Sequence, residues 1–270
     1  MSEKPQASDR EYYGNCHCGA FRFKLRVPEI KVGFTCNCSI CSKNGYVWTY
    51  LQHDQFTVVK GDADTTLNTY LFGKRENAHK FCPTCGTSVM EVQSVHSMGV
   101  NIRALENVDF DSLKVEHQVD GIPMEPPYQV PEPVLTGSVP GGITAHHGSC
   151  HCGSLAYTLL STEKITEATL CNCSICHRDG ALWIYHESDM VSWRGMDSAA
   201  VEYTFGKRQV SHGFCKICGV SVFEKFRGTN TRNDTRTALN ARTMNSELDL
   251  GTLEMEMWDG KATLPAYQVD

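Results

Sequence analysis

The chain has 270 residues, of which 41% are hydrophobic and 21% are charged, a composition typical of globular proteins. Its formal net charge is −6, and neither half has the basic excess expected of a nucleic-acid-binding protein. No apolar run approaches the roughly 20 residues that cross a bilayer, and the polar start MSEKPQASDR lacks the pattern of a signal peptide. We therefore expect a cytoplasmic protein with neither nucleic acid nor membrane as a partner.

The fourteen cysteines are the unusual part of the composition. In a reducing compartment, thiols at this density are more often metal ligands than disulfides. Corresponding cysteines lie 133–135 residues apart in two series, each reading C-x-C, C-x-C-x2-C and C-x2-C. The two series are Cys16, Cys18, Cys36, Cys38, Cys41, Cys82 and Cys85, and Cys150, Cys152, Cys171, Cys173, Cys176, Cys215 and Cys218. Such regular spacing predicts two copies of one domain.

Other motifs repeat with the cysteines. CNCSICSKNGYVWTY (36–50) and CNCSICHRDGALWIY (171–185) are identical at 9 of 15 positions, and F-G-K-R, H-x-F-C, N-x-R and D-G…P-x-Y each occur twice. The second copy carries extra residues in a polar loop around 227–237. We predict a disordered tail at 1–10, a first zinc domain at 11–130, a linker at 131–144 and a second zinc domain at 145–270.

In chain order, the predicted elements are short strands. Residues 20–27 alternate apolar and basic side chains, and residues 253–257 alternate Leu or Met with Glu, as half-buried strands do. The runs 56–60 and 201–205 are rich in β-branched and aromatic residues. No long segment has helical periodicity. These patterns predict two mainly β, antiparallel domains, each with a hydrophobic core of its own.

Four cysteines in each copy have the spacing of a closed zinc site. The segments Cys82–Gly86 and Cys215–Gly219 read C-x2-C-G, and thiolates at this spacing can bind one ion from a tight turn. The leading C-x-C pairs, Cys16 with Cys18 and Cys150 with Cys152, can supply the other two ligands. A site with four protein ligands has no open position, which favours a structural role.

The remaining cysteines form two groups of three, which we call tripods. The first tripod is Cys36, Cys38 and Cys41, and the second is Cys171, Cys173 and Cys176. Three protein ligands with one open position are typical of a catalytic zinc. A structural zinc closed by a nearby His or Asp, or an iron–sulfur cluster, are the alternatives. Because neither half has a further cysteine, the cluster is disfavoured.

Four histidines lie close to the cysteines. His79 and His212 both stand three residues before the C-x2-C turn, where they could transfer protons near the tripod or take a supporting position. His17 and His151 stand between two cysteines, and on an extended strand they point to the opposite face. We therefore expect His17 and His151 to be bystanders rather than ligands.

Aromatic residues follow each tripod on alternate positions of a predicted strand. Trp48 and Tyr50 in the first copy correspond to Trp183 and Tyr185 in the second. They could pack in the core or line the mouth of a zinc pocket. The copies diverge directly after the tripod motif, most clearly where the second has Ala181 in place of a tyrosine. We therefore expect one tripod to dominate turnover.

The combined motif set resembles the glutathione-dependent formaldehyde-activating enzyme family, which includes centromere protein V. The resemblance implies a tandem member with two Mss4-like (β-tent) domains, each holding a structural and a catalytic zinc, so four Zn²⁺ per chain. It implies structural ligands Cys16, Cys18, Cys82 and Cys85, and Cys150, Cys152, Cys215 and Cys218, and catalytic ligands Cys36, Cys38 and Cys41, and Cys171, Cys173 and Cys176. The implied activity is formation of S-hydroxymethylglutathione, classed as a carbon–sulfur lyase.

The residues favour thiol chemistry on separate grounds. Three thiolates leave a zinc site with net negative charge, so it is a weaker Lewis acid than a zinc bound by histidine. Such a site suits a thiolate as the fourth ligand. We predict a zinc-dependent carbon–sulfur lyase or thiol-adduct synthase whose partner is glutathione or a related thiol adduct. The alternatives are a zinc enzyme acting on another small metabolite, and a non-catalytic zinc module, which the negative charge disfavours.

Overall fold

The structure, a computed structural model, describes residues 9–92, 97–117, 127–245, 248–263 and 266–269. Each copy forms a three-stranded sheet and a separate seven-stranded sheet. The prediction of a mainly β protein with two tandem domains is confirmed. Among the described residues, no helix is both long and apolar enough to cross a membrane.

The described part of the first copy contains ten strands. Its small sheet has the order β1-β2-β5, and its large sheet has the order β10-β3-β4-β9-β8-β7-β6. The bounds are β1 Arg10–Asn15, β2 Arg22–Val27, β3 Val32–Thr35, β4 Trp48–Gln52, β5 Phe56–Lys60, β6 Asn68–Leu71, β7 Ala78–Phe81, β8 Ser88–Val92, β9 Ser97–Asn101 and β10 Lys114–His117.

The second copy repeats this arrangement. Its small sheet has the order β11-β12-β15, and its large sheet has the order β16-β17-β18-β19-β14-β13-β20. The bounds are β11 Thr144–Ser149, β12 Ala156–Ser161, β13 Glu167–Cys171, β14 Trp183–Glu187, β15 Val191–Arg194, β16 Ala200–Thr204, β17 Val210–Cys215, β18 Ser221–Phe226, β19 Arg236–Asn240 and β20 Glu254–Trp258.

The described helices are short, as the sequence predicts. The α-helices are α1 Ser39–Asn44, α2 Ser174–Asp179, α3 Met196–Ala199 and α4 Gly260–Thr263. Single 3₁₀ turns cover His53–Gln55, Ile102–Ala104, Ser188–Met190, Arg232–Thr235, Ala241–Thr243 and Leu250–Thr252. Helices α1 and α2 occupy equivalent positions, and each begins inside a tripod motif.

The alternating pattern at 20–27 forms strand β2, and its apolar face is buried. Phe23, Leu25 and Val27 are at most 7% exposed and share one hydrophobic cluster with Val89 of β8 and Val100 of β9. The small sheet therefore packs on the large sheet, and this contact provides most of the core of the first copy.

The prediction of purely antiparallel sheets is wrong at one edge of each large sheet. Strand β10 pairs with β3 in parallel, and β20 pairs with β13 in parallel. The alternation at 253–257 is also misleading, because Leu253 is buried but Met255 and Met257 are 38% and 67% exposed. Strand β20 lies at the sheet edge and all five of its residues are exposed, so no packed layer covers either of its faces.

The two copies do not have fully separate cores, contrary to the sequence-based expectation. Ile40 and Trp48 of the first copy belong to the same buried cluster as Leu182 and Val222 of the second. Contacts between the copies come in matched pairs. A Cβ atom on Gly86 would lie 2.7 Å from the ring of Phe214, and one on Gly219 would lie 2.5 Å from the ring of Phe81.

The helices α1 and α2 meet end to end between the copies. Gly45 and Gly180 follow them in the left-handed conformation, at φ 55° and 60°. A Cβ atom on either glycine would lie within 2.8 Å of the other's carbonyl oxygen. Arg103 Nε donates to Gly45 O at 2.9 Å, and Arg242 Nε donates to Gly180 O at 2.7 Å. The repeated N-x-R motif thus provides the arginines that satisfy these helix ends.

Candidate metal centres

The four thiols predicted to form a closed site in the first copy lie together. The Sγ atoms of Cys16, Cys18, Cys82 and Cys85 are all within 4.8 Å of one another. Cys18 Sγ lies 3.7 Å from Cys16 Sγ and 3.6 Å from Cys82 Sγ. A tetrahedral zinc with Zn–S bonds of about 2.3 Å has sulfur–sulfur edges of about 3.8 Å. The cluster therefore has the size that zinc requires.

The equivalent cluster in the second copy has the same dimensions. Cys150, Cys152, Cys215 and Cys218 place their Sγ atoms within 4.8 Å of one another, and Cys152 Sγ lies 3.5 and 3.6 Å from the thiols of Cys150 and Cys215. Backbone N–H groups point at these sulfurs, including those of Leu155 to Cys150 and of Ile217 to Cys215, both at 3.4 Å. Amide donors of this kind stabilise thiolates.

Each tripod is built from the end of a strand and the helix after it. Cys36 follows β3 and Cys171 ends β13, while Cys41 and Cys176 lie inside α1 and α2. The three Sγ atoms of each tripod lie within 4.8 Å of one another. Cys38 N donates to Cys36 Sγ at 3.4 Å, and Cys173 N donates to Cys171 Sγ at the same distance. The structure thus brings each predicted tripod together.

The tryptophans after each tripod combine packing with a direct contact to sulfur. Trp48 and Trp183 are at most 1% exposed, which fits the core interpretation. Their indole N–H groups donate to Cys41 Sγ at 3.4 Å and to Cys176 Sγ at 3.3 Å. A donor to a thiolate favours the charged form. Only the constant spacing of each tryptophan from its tripod pointed to this contact.

The histidines His79 and His212 each face a buried glutamate that sequence reasoning missed. His79 Nε2 lies 3.4 Å from Glu91 Oε2, and His212 Nδ1 lies 3.0 Å from Glu224 Oε1. Burial lowers the pKa of His79 to about 3. Burial also opposes charge on His212, but the carboxylate of Glu224 outweighs it and raises the pKa of that imidazole. The only sequence signal was the recurrence of a glutamate six residues after each C-x2-C turn.

In the second copy the histidine–glutamate pair reaches the tripod. Glu224 Oε1 lies 3.2 Å from Cys176 Sγ, and potential ligand atoms of Cys176, His212 and Glu224 lie within 4.8 Å of one another. All three residues are buried. An acid–base pair therefore stands directly beside the sulfur ligands.

A cavity of about 420 Å³ opens onto the second tripod. All three of its cysteines line the cavity, together with His212, Glu224 and Tyr185. The lining also includes three basic residues, Lys207, Arg208 and Arg236. The loop that is longer in the second copy contributes Thr229, Thr231 and Asn233. The pocket interpretation therefore holds for Tyr185, and the tripod is accessible to a small molecule.

Two substitutions distinguish the surroundings of the tripods. Tyr46 is 4% exposed, and its ring centroid lies 4.3 Å from that of Trp48 and 5.9 Å from that of His79. The corresponding residue in the second copy, Ala181, is fully buried and has no ring at this position. Asp179 replaces a neutral asparagine, and burial raises the pKa of its carboxyl to about 7.

His17 and His151 belong to none of the ligand clusters within the described ranges. The strand geometry behind their expected role as bystanders is wrong, because β1 ends at Asn15 and β11 at Ser149, so both histidines lie in turns. Their rings are also buried and contact the opposite copy, so they are not passive bystanders.

The match to a known protein family agrees with the duplication. The family described as glutathione-dependent formaldehyde-activating enzyme matches residues 11–118 and again residues 145–260. A crystal structure of a Rhodobacter sphaeroides protein is 28% identical in sequence, and the match covers 38% of this chain and 99% of that one with a TM-score of 0.35. Because the two family matches together span most of the sequence, the chain belongs to the glutathione-dependent formaldehyde-activating enzyme family and carries two of its domains in tandem.

Proposed function

We propose that the chain is a zinc-dependent carbon–sulfur lyase, or thiol-adduct synthase, that acts on glutathione or a related thiol adduct of a small carbonyl compound. The observation that carries the proposal is the cavity whose lining includes all three cysteines of the second tripod. A tripod sealed inside a core could serve structure alone. A tripod at a cavity lets a small molecule reach the fourth coordination position.

The donor sets support four zinc ions per chain. Thiolates are preferred zinc ligands, and the two four-thiol clusters have the separations of a tetrahedral site. The tripods offer three thiols each, with N–H donors from the backbone and from Trp48 and Trp183. A zinc ion in the tripod would supply Lewis acidity and a position for a further sulfur ligand.

The reaction proposed for this site needs no redox partner. In the synthetic direction, the substrate thiol loses its proton, its sulfur forms a bond to the carbonyl carbon, and the carbonyl oxygen gains a proton. The lyase direction reverses these steps. His212 and Glu224 line the same cavity as the cysteines and can accept the thiol proton and return it to the oxygen. Atoms and charge therefore balance within the site.

Three basic residues stand beside Glu224 and Glu256 in the cavity lining, and they support a substrate that carries carboxylates. Lys207 and Arg208 belong to the turn after β16, and Arg236, which also pairs with Glu187 at 3.4 Å, begins β19. Arg208 holds a left-handed backbone at φ 55°, an uncommon conformation for a residue with a side chain. Guanidinium and ammonium groups bind carboxylates in charge-assisted hydrogen bonds. Glutathione, which the family description names, has two carboxylates.

We assign most of the turnover to the second tripod. There Ala181 leaves space that the ring of Tyr46 fills in the first copy, and Glu224 lies beside the sulfur of Cys176. The first tripod would bind zinc but contribute less to the rate.

One observation favours a second candidate function. The approach of Glu224 Oε1 to Cys176 Sγ would also allow Glu224 to complete a zinc site and close it. The second tripod would then be structural, and the cavity would have no chemical role.

An activity assay separates these functions. The rate of S-hydroxymethylglutathione formation from glutathione and formaldehyde is measured by NMR and corrected for the uncatalysed rate. Cysteine and 2-mercaptoethanol serve as comparison thiols that lack glutathione's pair of carboxylates. We expect catalysis that favours glutathione and falls at least about tenfold in Cys173→Ala. The matched variant Cys38→Ala should retain most of the rate. No catalysis with any thiol, while the zinc content stays at four, would support the closed structural site instead.

A further inference from the structure

The histidine of each C-x-C pair reaches across the interface to the tripod of the other copy. His17 Nε2 lies 2.8 Å from Ser174 Oγ, and His17 Nδ1 lies 3.0 Å from the hydroxyl of Tyr203. His17 belongs to the first copy, whereas both of its partners belong to the second.

The second copy makes the matching contacts in the other direction. His151 Nε2 lies 2.9 Å from Ser39 Oγ, and His151 Nδ1 lies 2.8 Å from the hydroxyl of Tyr70. Each contact thus occurs twice, with the roles of the copies exchanged, as in a self-complementary dimer interface.

The imidazoles are fixed in these positions. Both are at most 4% exposed. A hydroxyl can donate or accept, so a neutral imidazole is satisfied by two hydroxyls in either tautomer. The ring of His17 packs 4.4 Å from that of Tyr267, and the ring of His151 packs 4.6 Å from that of Tyr128. Those tyrosines also cross the interface, because their hydroxyls donate to the backbone oxygens of His17 and His151 at 2.5 and 3.1 Å.

The two serines are the residues through which this contact acts on the tripods. Ser39 follows Cys38 and begins α1, and Ser174 follows Cys173 and begins α2. Each serine therefore stands between the second and third cysteine of its tripod. Fixing its side chain fixes the turn that sets the spacing of those two sulfurs.

The far end of each tripod helix is attached to the same segment of the opposite copy. Arg178 of α2 donates through Nε to Asn15 O at 3.4 Å and through Nη2 to Asn15 Oδ1 at 3.3 Å. Lys43 of α1 donates through Nζ to Ser149 O at 3.2 Å. Asn15 and Ser149 directly precede the C-x-C pairs. Each tripod helix is thus held at both ends by residues 15–18 or 149–152, the segment that carries the other copy's C-x-C pair.

We propose that His17 and His151 are positioning residues for the tripod of the opposite copy, so that each tripod reaches its metal-binding geometry only in the assembled tandem pair. The proposal rests on the tripods binding zinc, which is part of the proposed function. It also connects the first four-thiol cluster to the second tripod, because a change at Cys16 or Cys18 would shift the segment that contacts α2.

A crossed set of variants tests the direction of this dependence. Cys38→Ala leaves the second tripod as the only complete one, and Cys173→Ala leaves the first. In each background, His17→Ala or His151→Ala is added, and zinc affinity and the rate of zinc removal by a chelator are measured for the remaining tripod. The slowly released zinc of the two four-thiol clusters reports that the chain is folded.

We expect His17→Ala to weaken zinc binding about tenfold in the Cys38→Ala background, at the lower end of the effect of removing groups that support metal ligands. The same change should leave affinity within about twofold in the Cys173→Ala background. His151→Ala should show the reverse pattern. An effect confined to the tripod of the histidine's own copy, or equal in both backgrounds, would overturn the proposal.

A double-mutant cycle covers the case in which the alanine variants do not fold. His17→Gln keeps a polar group near the position of Nε2, and Ser174→Ala removes only the hydroxyl. If the two side chains act through each other, the combined loss of zinc affinity is smaller than the product of the single losses. Independent effects would overturn the proposal. Absence of zinc from the tripods of the unsubstituted chain, measured by elemental analysis, would instead refute the proposed function.

Discussion

Gly219 provides the most quantitative test of how the two copies fit together. It follows the second C-x2-C turn at φ +76°, and a Cβ atom there would lie 2.5 Å from the ring of Phe81 in the first copy. The left-handed backbone costs an alanine about 1–2 kcal/mol. Displacing a packed ring adds about 1–3 kcal/mol. We therefore expect Gly219→Ala to lower the free energy of unfolding by about 2–5 kcal/mol.

Gly206 is the matched control for backbone strain. Its φ is +54°, and a Cβ atom there would meet no heavy atom within 4 Å. Gly206→Ala should therefore cost only the strain, about 1–2 kcal/mol. Gly86→Ala, which faces Phe214 at 2.7 Å in the reciprocal contact, should resemble Gly219→Ala.

The assay is chemical unfolding of the zinc-loaded chain, with zinc content measured for each variant. Combining Gly219→Ala with Phe81→Ala isolates the contact with Phe81. Removing the ring makes space for the new methyl group, so the double variant should lose at least about 1 kcal/mol less stability than the sum of the two single losses. Equal losses in Gly219→Ala and Gly206→Ala, or strict additivity in the double variant, would refute the close packing of the copies.

Further predictions concern the metal sites and the buried charges. Cys82→Ser should lower the unfolding midpoint far more than Cys38→Ser does, because a closed zinc site contributes directly to folding; equal losses would make the tripods structural. Glu224→Gln should reduce the rate of adduct formation at least about tenfold while four zinc ions remain bound, and unchanged kinetics would remove the acid–base role. Burial lowers the pKa of Lys43 to about 8. Between pH 8 and 10.5 the unfolded chain therefore binds more protons at this residue than the folded chain does. Lys43 should make the free energy of unfolding rise with pH in that window. Unfolding of the unsubstituted chain and of Lys43→Met is compared across this pH range, and equal slopes of unfolding free energy against pH would contradict the prediction.

The sequence predicts the features that depend on short-range spacing. The C-x2-C-G turns and the C-x-C-x2-C tripods are local, so counting residues was enough to place their thiols together. The alternation in β2 reports burial correctly because that strand packs its apolar face on the large sheet. The same rule fails at Met255 and Met257, since an edge strand can alternate without a layer to cover it.

The contacts between the copies could not be read from the sequence. His17 and Ser174 are far apart along the chain, and nothing in a histidine between two cysteines indicates a partner across an interface. Glu91 and Glu224 read as ordinary strand residues, because period-two patterns do not show which acidic side chain is buried. These residues depend on how the sheets and the copies pack, which spacing within one motif does not encode.

The central claim is that the second tripod binds a substrate thiol as a sulfur ligand of its zinc. Zinc-edge X-ray absorption measures the sulfur share of the zinc ligands before and after glutathione is added to the zinc-loaded chain. We predict that glutathione raises this share, that Cys173→Ala abolishes most of the increase, and that Cys38→Ala preserves it. An unchanged sulfur share in the unsubstituted chain at saturating glutathione would contradict the claim.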